Sequence, residues 1–262
     1  MVSYLTPDPQ SVKLVAVSDI HIITQDDDRA KALRELLKQT RASYRLEYLV
    51  LLGDIFDFYF GRGSYFEDKF QAIKEDIALI AQMGTKVIYL QGNHEFGLEH
   101  ASWPGVEFVT DKTYVAKLQD GREIALTHGD LLFESGHYKT YLKLVRSQVF
   151  IFLVSLLPQG WLDRLCLAVS KASRKKNSYR RLAHRLILTK ALLWQQSTGC
   201  RWAIMGHFHV AYNYLPPGKK TQLLCMDEWQ KPNALLLAQD FYRLYWRDGK
   251  EPTFKRLLTL TK

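Results

Sequence analysis

The stretch Val12-Lys13-Leu14-Val15-Ala16-Val17-Ser18-Asp19-Ile20-His21 decides the reading of this chain. Its apolar, β-branched run predicts a buried strand over Val12–Ser18, and the strand leads directly into a carboxylate and an imidazole. Residues i and i+2 of an extended strand end point the same way, so Asp19 and His21 can reach one ion. Working outward, apolar residues at Ala30, Leu33, Leu36 and Leu37 predict a helix over Arg29–Arg41, followed by a strand at Tyr48–Leu52. A helix from Phe66 to Met83, ended by Gly84, and a strand at Lys86–Leu90 complete two successive β-helix-β crossovers, which places the chain in the α/β class. Strands at Thr113–Leu118 and Glu123–Thr127 flank an Asp120-Gly121 hairpin turn and are expected to add antiparallel members to the sheet.

After Asp130 the pattern changes. Residues 131–199 carry almost no turn punctuation, with helical periodicity interrupted at Pro158-Gln159-Gly160 and near Lys175–Ser178, and three helices are expected there. Strands resume at Trp202–Met205, Val210–Leu215, Thr221–Cys225, Ala234–Ala238 and Tyr242–Trp246, in hairpin-like order. The chain therefore divides into a body, residues 1–130 and 200–262, and a helical insertion, residues 131–199.

A length of 262 residues fits one large domain or one domain with a sizeable insertion. With 47% hydrophobic and 24% charged residues the chain has the apolar surface that disordered sequences lack. Its three cysteines, Cys166, Cys200 and Cys225, have no paired spacing and indicate neither a disulfide framework nor a cysteine-based zinc site. The first ten residues lack the basic and apolar regions of a secretory signal, so a cytoplasmic protein is expected. The longest apolar run, Val149–Val154 with Leu156 and Leu157 beyond Ser155, is far short of the ~20 residues that span a bilayer.

Most predicted strands end in hard-metal or imidazole ligands. Beyond Asp19 and His21 these are Gly53-Asp54-Ile55-Phe56-Asp57, Gly92-Asn93-His94-Glu95, Thr127-His128-Gly129-Asp130 and Gly206-His207-Phe208-His209. Each block alone is as consistent with a turn or a cap as with a site. Together they hold five of the eight histidines, all immediately after predicted strands, and the carboxyl ends of parallel strands share one edge. Mixed Asp, Asn and His donors suit manganese, iron(II) or zinc rather than an all-oxygen calcium cage. Two such ions can activate water and clamp phosphoryl oxygens during in-line attack, so phosphoester or phosphoanhydride hydrolysis is the expected reaction. His94 is the candidate for charge stabilisation or protonation of the leaving oxygen, with Asp57 and Asp130 behind the ligand rings. His100 and His184 read as solvated or packed imidazoles, and His137 opens the first inserted helix.

These blocks, in this order, resemble the calcineurin-like metallophosphoesterase superfamily, with Asp-x-His, Gly-Asp-x-x-Asp, Gly-Asn-His-Asp/Glu, His and Gly-His-x-His all present. The resemblance covers the chain except the insertion and implies a four-layer sandwich of mixed β-sheets flanked by helices, with a dinuclear metal centre. Carried over residue by residue, it implies one ion held by Asp19, His21, Asp54 and His209. A second would be held by Asp54, Asn93, His128 and His207, with Asp54 bridging; two divalent ions, manganese first among them, are the implied cofactors.

The charge is concentrated in the insertion. Residues 131–199 hold 12 Lys and Arg against Glu134 and Asp163, a net of +10, while the other 193 residues net −1. The same segment carries Val149-Phe150-Ile151-Phe152-Leu153-Val154 and then Leu156, Leu157, Trp161, Leu162, Leu165 and Leu167. A basic face beside a bulky apolar one suits an amphipathic phosphorylated lipid or peripheral contact with an anionic membrane, and disfavours nucleic acid. The bland alternative is a helical cap that packs its apolar side on the body and solvates its charges.

An insertion at this position is similar to that of the UDP-2,3-diacylglucosamine pyrophosphatases of lipid A synthesis, where it forms a lid over acyl chains. The resemblance extends to residues 53–61 and to the basic stretch Ser173–Arg181, in which Lys175, Lys176, Asn177, Arg180 and Arg181 are the implied substrate contacts. It implies cleavage of a nucleotide-lipid pyrophosphate to 2,3-diacylglucosamine 1-phosphate and UMP. This chain departs from that family in having His94-Glu95 where Arg-Asp is usual, and Phe208 where Thr is usual. A general phosphodiesterase or phosphoprotein phosphatase is the alternative within the superfamily, and a non-catalytic nucleic-acid or membrane-binding module the alternative outside it.

Overall fold

The computed structural model describes residues 6–132, 136–162, 164, 168, 184–216, 218, 220–245 and 252–257. The strands in chain order are β1 (Leu14–Val17), β2 (Tyr48–Leu51), β3 (Tyr59–Phe60), β4 (Lys86–Leu90), β5 (Glu95–Phe96), β6 (Val106–Val109) and β7 (Tyr114–Lys117). They continue as β8 (Glu123–Thr127), β9 (Trp202–Met205), β10 (Tyr212–Tyr214), β11 (Gln222–Cys225), β12 (Asn233–Leu237), β13 (Phe241–Tyr245) and β14 (Thr253–Arg256). The helices are α1 (Asp28–Ser43), α2 (Tyr65–Lys69), α3 (Gln71–Ala81), α4 (Gly136–Val145), α5 (Gln148–Ser155) and α6 (His184–Thr198).

Two large sheets form. The first has the order β14-β13-β12-β1-β2-β4-β6, with β1, β2, β4 and β6 parallel and β12 antiparallel to β1. The second has the order β10-β11-β9-β8-β7, with β8, β9 and β11 parallel and antiparallel edges. A two-stranded ribbon, β3-β5, lies beside the site. The hairpin β7-β8 therefore does not extend the first sheet, as alternation alone suggested; it begins the second.

The pleat sorts side chains into layers. Leu14 and Ala16 of β1, Val50 of β2 and Ile88 of β4 pack against Ile124, Leu126, Ile204 and Leu224 of the second sheet. The alternate residues Val15, Val17, Leu49 and Tyr89 face α1 and α3. On the outer face of the second sheet, Ala203, Met205 and Leu223 pack against Ile187, Ala191 and Trp194 of α6. The order helix, sheet, sheet, helix is the four-layer sandwich expected, with apolar alternation fixing which face each strand presents. The last helix of the 131–199 segment is thus the fourth layer of the body.

Helix α1 starts where Asp27 caps it, the carboxylate accepting from Ala30 N at 2.7 Å. It buries Leu33, Leu36 and Leu37, and Arg34 Nε donates to Asp76 Oδ2 of α3 at 2.6 Å. The helix expected over 66–83 is two, interrupted at Phe70, whose ring stacks on Phe56 with centroids 4.0 Å apart. The first inserted helix is likewise two, because Ser147 takes an extended conformation and its hydroxyl caps α5.

Helices α4 and α5 dock beside the metal-ligand edge rather than over the outer helices. Leu142, Val145, Ile151 and Val154 join the core that includes Phe58, Phe96 and Leu98. Arg146, between the two helices, donates to the Gly92 carbonyl at 3.1 Å and to Asp130 Oδ2 at 3.3 Å. Gln148 bonds Glu99 at 2.9 Å and lies 3.0 Å from His100 Nε2, so His100 is a docking contact of α5. No helix among the described residues is long and apolar enough to cross a membrane.

Candidate metal centre

The carboxyl ends of β1, β2, β4, β8 and β9 meet where the two sheets abut, and the residues beyond them are tied together by backbone bonds. Asp19 N donates to the Gly53 carbonyl at 3.1 Å, His21 N to that of Asp54 at 3.0 Å, and Gly206 N to that of His128 at 3.0 Å. His207 N donates to both Asp19 oxygens, at 3.1 and 3.0 Å, which crosses from the second sheet to the first.

Five non-glycine residues among those described have positive φ: Asp19 (54°), His21 (56°), Asp54 (52°), His207 (71°) and His209 (55°). Left-handed backbone costs an L-residue on the order of 1 kcal/mol each, and all five are candidate ligands. Strain concentrated on them means the surrounding structure holds these side chains in place against local preference. Glycine is required where the blocks touch. A Cβ on Gly206 would collide with the Ser18 side chain and lie 2.7 Å from Asp19 Oδ2, and one on Gly92 would lie 2.5 Å from Asp54 N and 2.7 Å from Glu95 Oε2.

Asp54 lies between two sets of imidazoles. Its Oδ2 is 3.9 Å from His21 Nε2 and 3.5 Å from His128 Nε2. On one side, His209 Nε2 is 3.4 Å from Asp19 Oδ1, and Asp19, His21 and His209 have ligand atoms within 4.8 Å of one another. On the other, His128 Nε2 is 3.3 Å from Asn93 Oδ1, and Asp54, His128 and His207 form a second such group. The structure thus brings together all seven residues expected to bind metal, with Asp54 in the second group and 3.9 Å from His21 of the first, and His21 also groups with Asp57 and His94. The donor set of carboxylates, one amide and imidazoles fits borderline divalent ions.

Burial lowers His21 to a pKa of about 3, and burial together with His128 puts His207 well below the usual imidazole range. Both rings are therefore neutral, the form that ligates metal. Burial alone would raise Asp54, but His128 and His94 hold it well below the ordinary carboxylate value. The same pairing, against the effect of burial, lifts His128 well above its ordinary value. Burial raises the Asp19 and Asp130 carboxyls.

His94 Nδ1 lies 2.7 Å from the Asp57 carbonyl oxygen, so that nitrogen carries the proton and donates. Burial works against charging this ring, yet Asp54 and the Asp57 carbonyl together raise its pKa. Its ring meets His21 edge-on with centroids 4.8 Å apart. Asp57 Oδ1 is 3.7 Å from His21 Nδ1, and Asp130 pairs with Arg146 at 3.3 Å while its charge also acts on His128. Lys175, Lys176, Asn177, Arg180 and Arg181 lie outside the described residues, as does most of the segment around them. Helices containing His137 and His184 are described, without their side chains.

The sequence reading missed two acids. Glu95, fully buried, accepts from Asp54 N (2.9 Å), Gly92 N (2.8 Å), Ile55 N (2.8 Å) and the Tyr89 hydroxyl (3.0 Å), and so locks two ligand blocks together. Burial pushes its pKa up to about 7. Glu228 lies 3.3 Å from His209 Nδ1. Glu95 was visible as the last letter of Gly-Asn-His-Glu; nothing in the spacing connects Glu228 to a histidine 19 residues earlier.

The chain is similar to known proteins over most of its length. A relative from Azotobacter vinelandii named UDP-2,3-diacylglucosamine hydrolase is 26% identical over 84% of this chain and 92% of its own length. One of the same name from Aeromonas salmonicida is 25% identical over 85% of this chain and 88% of its own length. Among solved structures, vacuolar protein sorting 29 from Cryptosporidium parvum aligns with 94% of this chain and 98% of its own, at 15% identity and a TM-score of 0.47. The calcineurin-like phosphoesterase family matches residues 12–211, a span that runs from β1 through the insertion and past both histidines of the last block. With that match over most of its length, the chain belongs to the calcineurin-like phosphoesterase family and is a metal-dependent hydrolase.

Proposed function

We propose that the chain hydrolyses the pyrophosphate of UDP-2,3-diacylglucosamine, giving 2,3-diacylglucosamine 1-phosphate and UMP, as a cytoplasmic enzyme that meets its substrate at an anionic membrane surface. The observation that carries the hydrolytic part is the position of Asp54, 3.9 Å from one imidazole cluster and 3.5 Å from the other. Asp19, His21, Asp54 and His209 would hold one divalent ion, and Asp54, Asn93, His128 and His207 the second, with manganese the first candidate. Bound ions there supply a water activated near neutrality and a clamp on the phosphoryl oxygens. His94, whose Nδ1 donates to the Asp57 carbonyl and whose charged form Asp54 favours, would stabilise charge on the leaving oxygen. Water adds to phosphorus, the anhydride P–O bond breaks, and the protons released pass to solvent.

The lipid part rests on the activity for which the relatives are named and on the exposed apolar side chains of α5 and the residues after it. Val149, Leu153, Leu156 and Trp161 are 56–69% exposed, and the same segment is anchored to the ligand edge through Arg146. Large apolar side chains left in water beside a phosphate site fit a lid over acyl chains. The test is direct: purified protein loaded with manganese is given UDP-2,3-diacylglucosamine, a dinucleotide and a phosphopeptide. Release of UMP from the lipid far above turnover of the others supports the proposal. Preferential cleavage of the dinucleotide or phosphopeptide would replace it with a general phosphodiesterase or phosphatase.

A further inference from the structure

His128, His209 and His21 each turn one ring nitrogen toward the cluster and the other toward the protein, and the groups behind these three rings differ. His128 Nδ1 donates to the Leu52 carbonyl at 2.8 Å, a neutral acceptor. His209 Nδ1 faces Glu228 Oε2 at 3.3 Å, and His21 Nδ1 faces Asp57 Oδ1 at 3.7 Å, both carboxylates. The cluster of Asp19, His21 and His209 therefore has two acids behind its rings, whereas His128 in the other cluster has an amide oxygen.

Glu228 is held there by its surroundings. It lies on the connection from β11 to β12, next to the buried Trp229, and its carbonyl accepts from Asn233 Nδ2 at 3.2 Å. Asn233 is fully buried at the start of β12 and also donates to the Lys231 carbonyl at 3.0 Å, which fixes the loop from inside. His209 needs such a partner. Its side chain is 30% exposed, and its ring stacks on that of His21 with centroids 5.4 Å apart, a contact that does not choose which nitrogen carries the proton.

The geometry points to Glu228 as a positioning residue that keeps the His209 proton on Nδ1, aims Nε2 at the space beside Asp19, and makes the Asp19/His21/His209 position the tighter of two metal positions. This rests on the dinuclear reading proposed above. A carboxylate behind a ligating imidazole orients the ring and raises its basicity, and its loss typically weakens metal binding ~10–100-fold. A negative charge near a dication adds attraction that a neutral carbonyl does not supply.

The experiment is calorimetric titration of the full chain, stripped of metal by chelation, with Mn²⁺, followed in parallel by electron paramagnetic resonance. The wild-type protein is expected to bind in two steps of unequal affinity. Glu228→Ala weakens the tighter step roughly 10–100-fold, Glu228→Gln, which keeps an acceptor but not the charge, weakens it less, and both leave the weaker step and the metal-free melting curve unchanged. Asn93→Ala is expected to weaken the other step alone. The inference fails if Glu228→Ala titrates like the wild type, or if it weakens both steps together. A wild-type chain that bound a single ion or none would overturn the dinuclear reading itself, a result distinct from either of these.

Discussion

The ligand edge and the α4-α5 segment touch each other but are built on opposite principles. At the edge, charged side chains are buried, strained backbone falls on five candidate ligands, and Glu95 alone accepts four hydrogen bonds. Along α4 and α5, Leu144, Val149, Leu153 and Leu156 stand more than half exposed, and the polar anchors at their junction are Arg146 and Gln148. The first region spends folding energy to fix polar groups; the second leaves apolar surface in water. A site that must hold ions and transition-state charge needs preorganised dipoles. A surface that must accept flexible acyl chains needs area more than geometry. The two regions should therefore respond differently to substitution.

The largest effect expected is at Asp54. Asp54→Asn removes the carboxylate that lies between the two clusters, and hydrolysis should fall by far more than the ~10–100-fold that loss of an outer partner costs. Activity against a water-soluble phosphodiester and against a lipid pyrophosphate should disappear together. Survival of either would separate the edge from catalysis and break the comparison.

Gly206→Ala comes next. It touches no substrate, yet its methyl group must displace Ser18 or the Asp19 carboxylate, 2.7 Å away. Overpacking of this kind costs ~1–3 kcal/mol, so urea unfolding of the metal-free protein should show a clear loss of stability, and hydrolysis should drop with metal binding. An unchanged midpoint would mean that the blocks are less tightly joined than their distances indicate.

How much of this was legible in the sequence follows the same division. β1, β2, β4, β8 and β9 were readable because each is an apolar run followed at once by its ligand block. β6 was not, since Val106–Val109 is short, half-buried and interrupted by Glu107, and β3 and β5, with two residues each, are below any periodicity. The break at Phe70 carries no Gly or Pro; it is set by ring packing on Phe56, which is a tertiary cause. The ligands were legible as residue types at strand ends. Their left-handed backbone was not, because Asp and His at those positions answer to metal chemistry rather than to turn preference. Which sheet received the hairpin β7-β8 depended on pairing with β9, some 80 residues away, and no local signal encodes that.

Arg146 lies on the boundary between the two regions. Arg146→Ala removes charge-assisted bonds to the Gly92 carbonyl and to the buried Asp130, and bonds of this type contribute ~1.5–3 kcal/mol. The expected outcome is an intermediate one: stability falls by about that amount, and turnover falls for soluble and lipid substrates alike, because Gly92 precedes Asn93. A loss confined to the lipid substrate would assign Arg146 to the lid rather than to the edge.

The smallest effect on the fold, and the most selective on function, is expected from Leu153→Ser with Leu156→Ser. Both side chains are mostly in water, 56% and 64% exposed, so stability should stay within ~0.5 kcal/mol. If acyl chains cover them, each leucine buried on binding contributes up to ~1.5–3 kcal/mol, and their loss should raise KM for a diacylated substrate at least several-fold. The kcat for a soluble phosphodiester should not move, since neither residue touches the ligand blocks. A parallel loss on both substrates would show that α5 supports the edge rather than the lipid, and the exposed leucines would then need another occupant. A rise in KM that shrinks as the acyl chains are shortened would instead separate area from geometry, because the contribution of α5 would then scale with buried surface while that of Asp54 stayed constant.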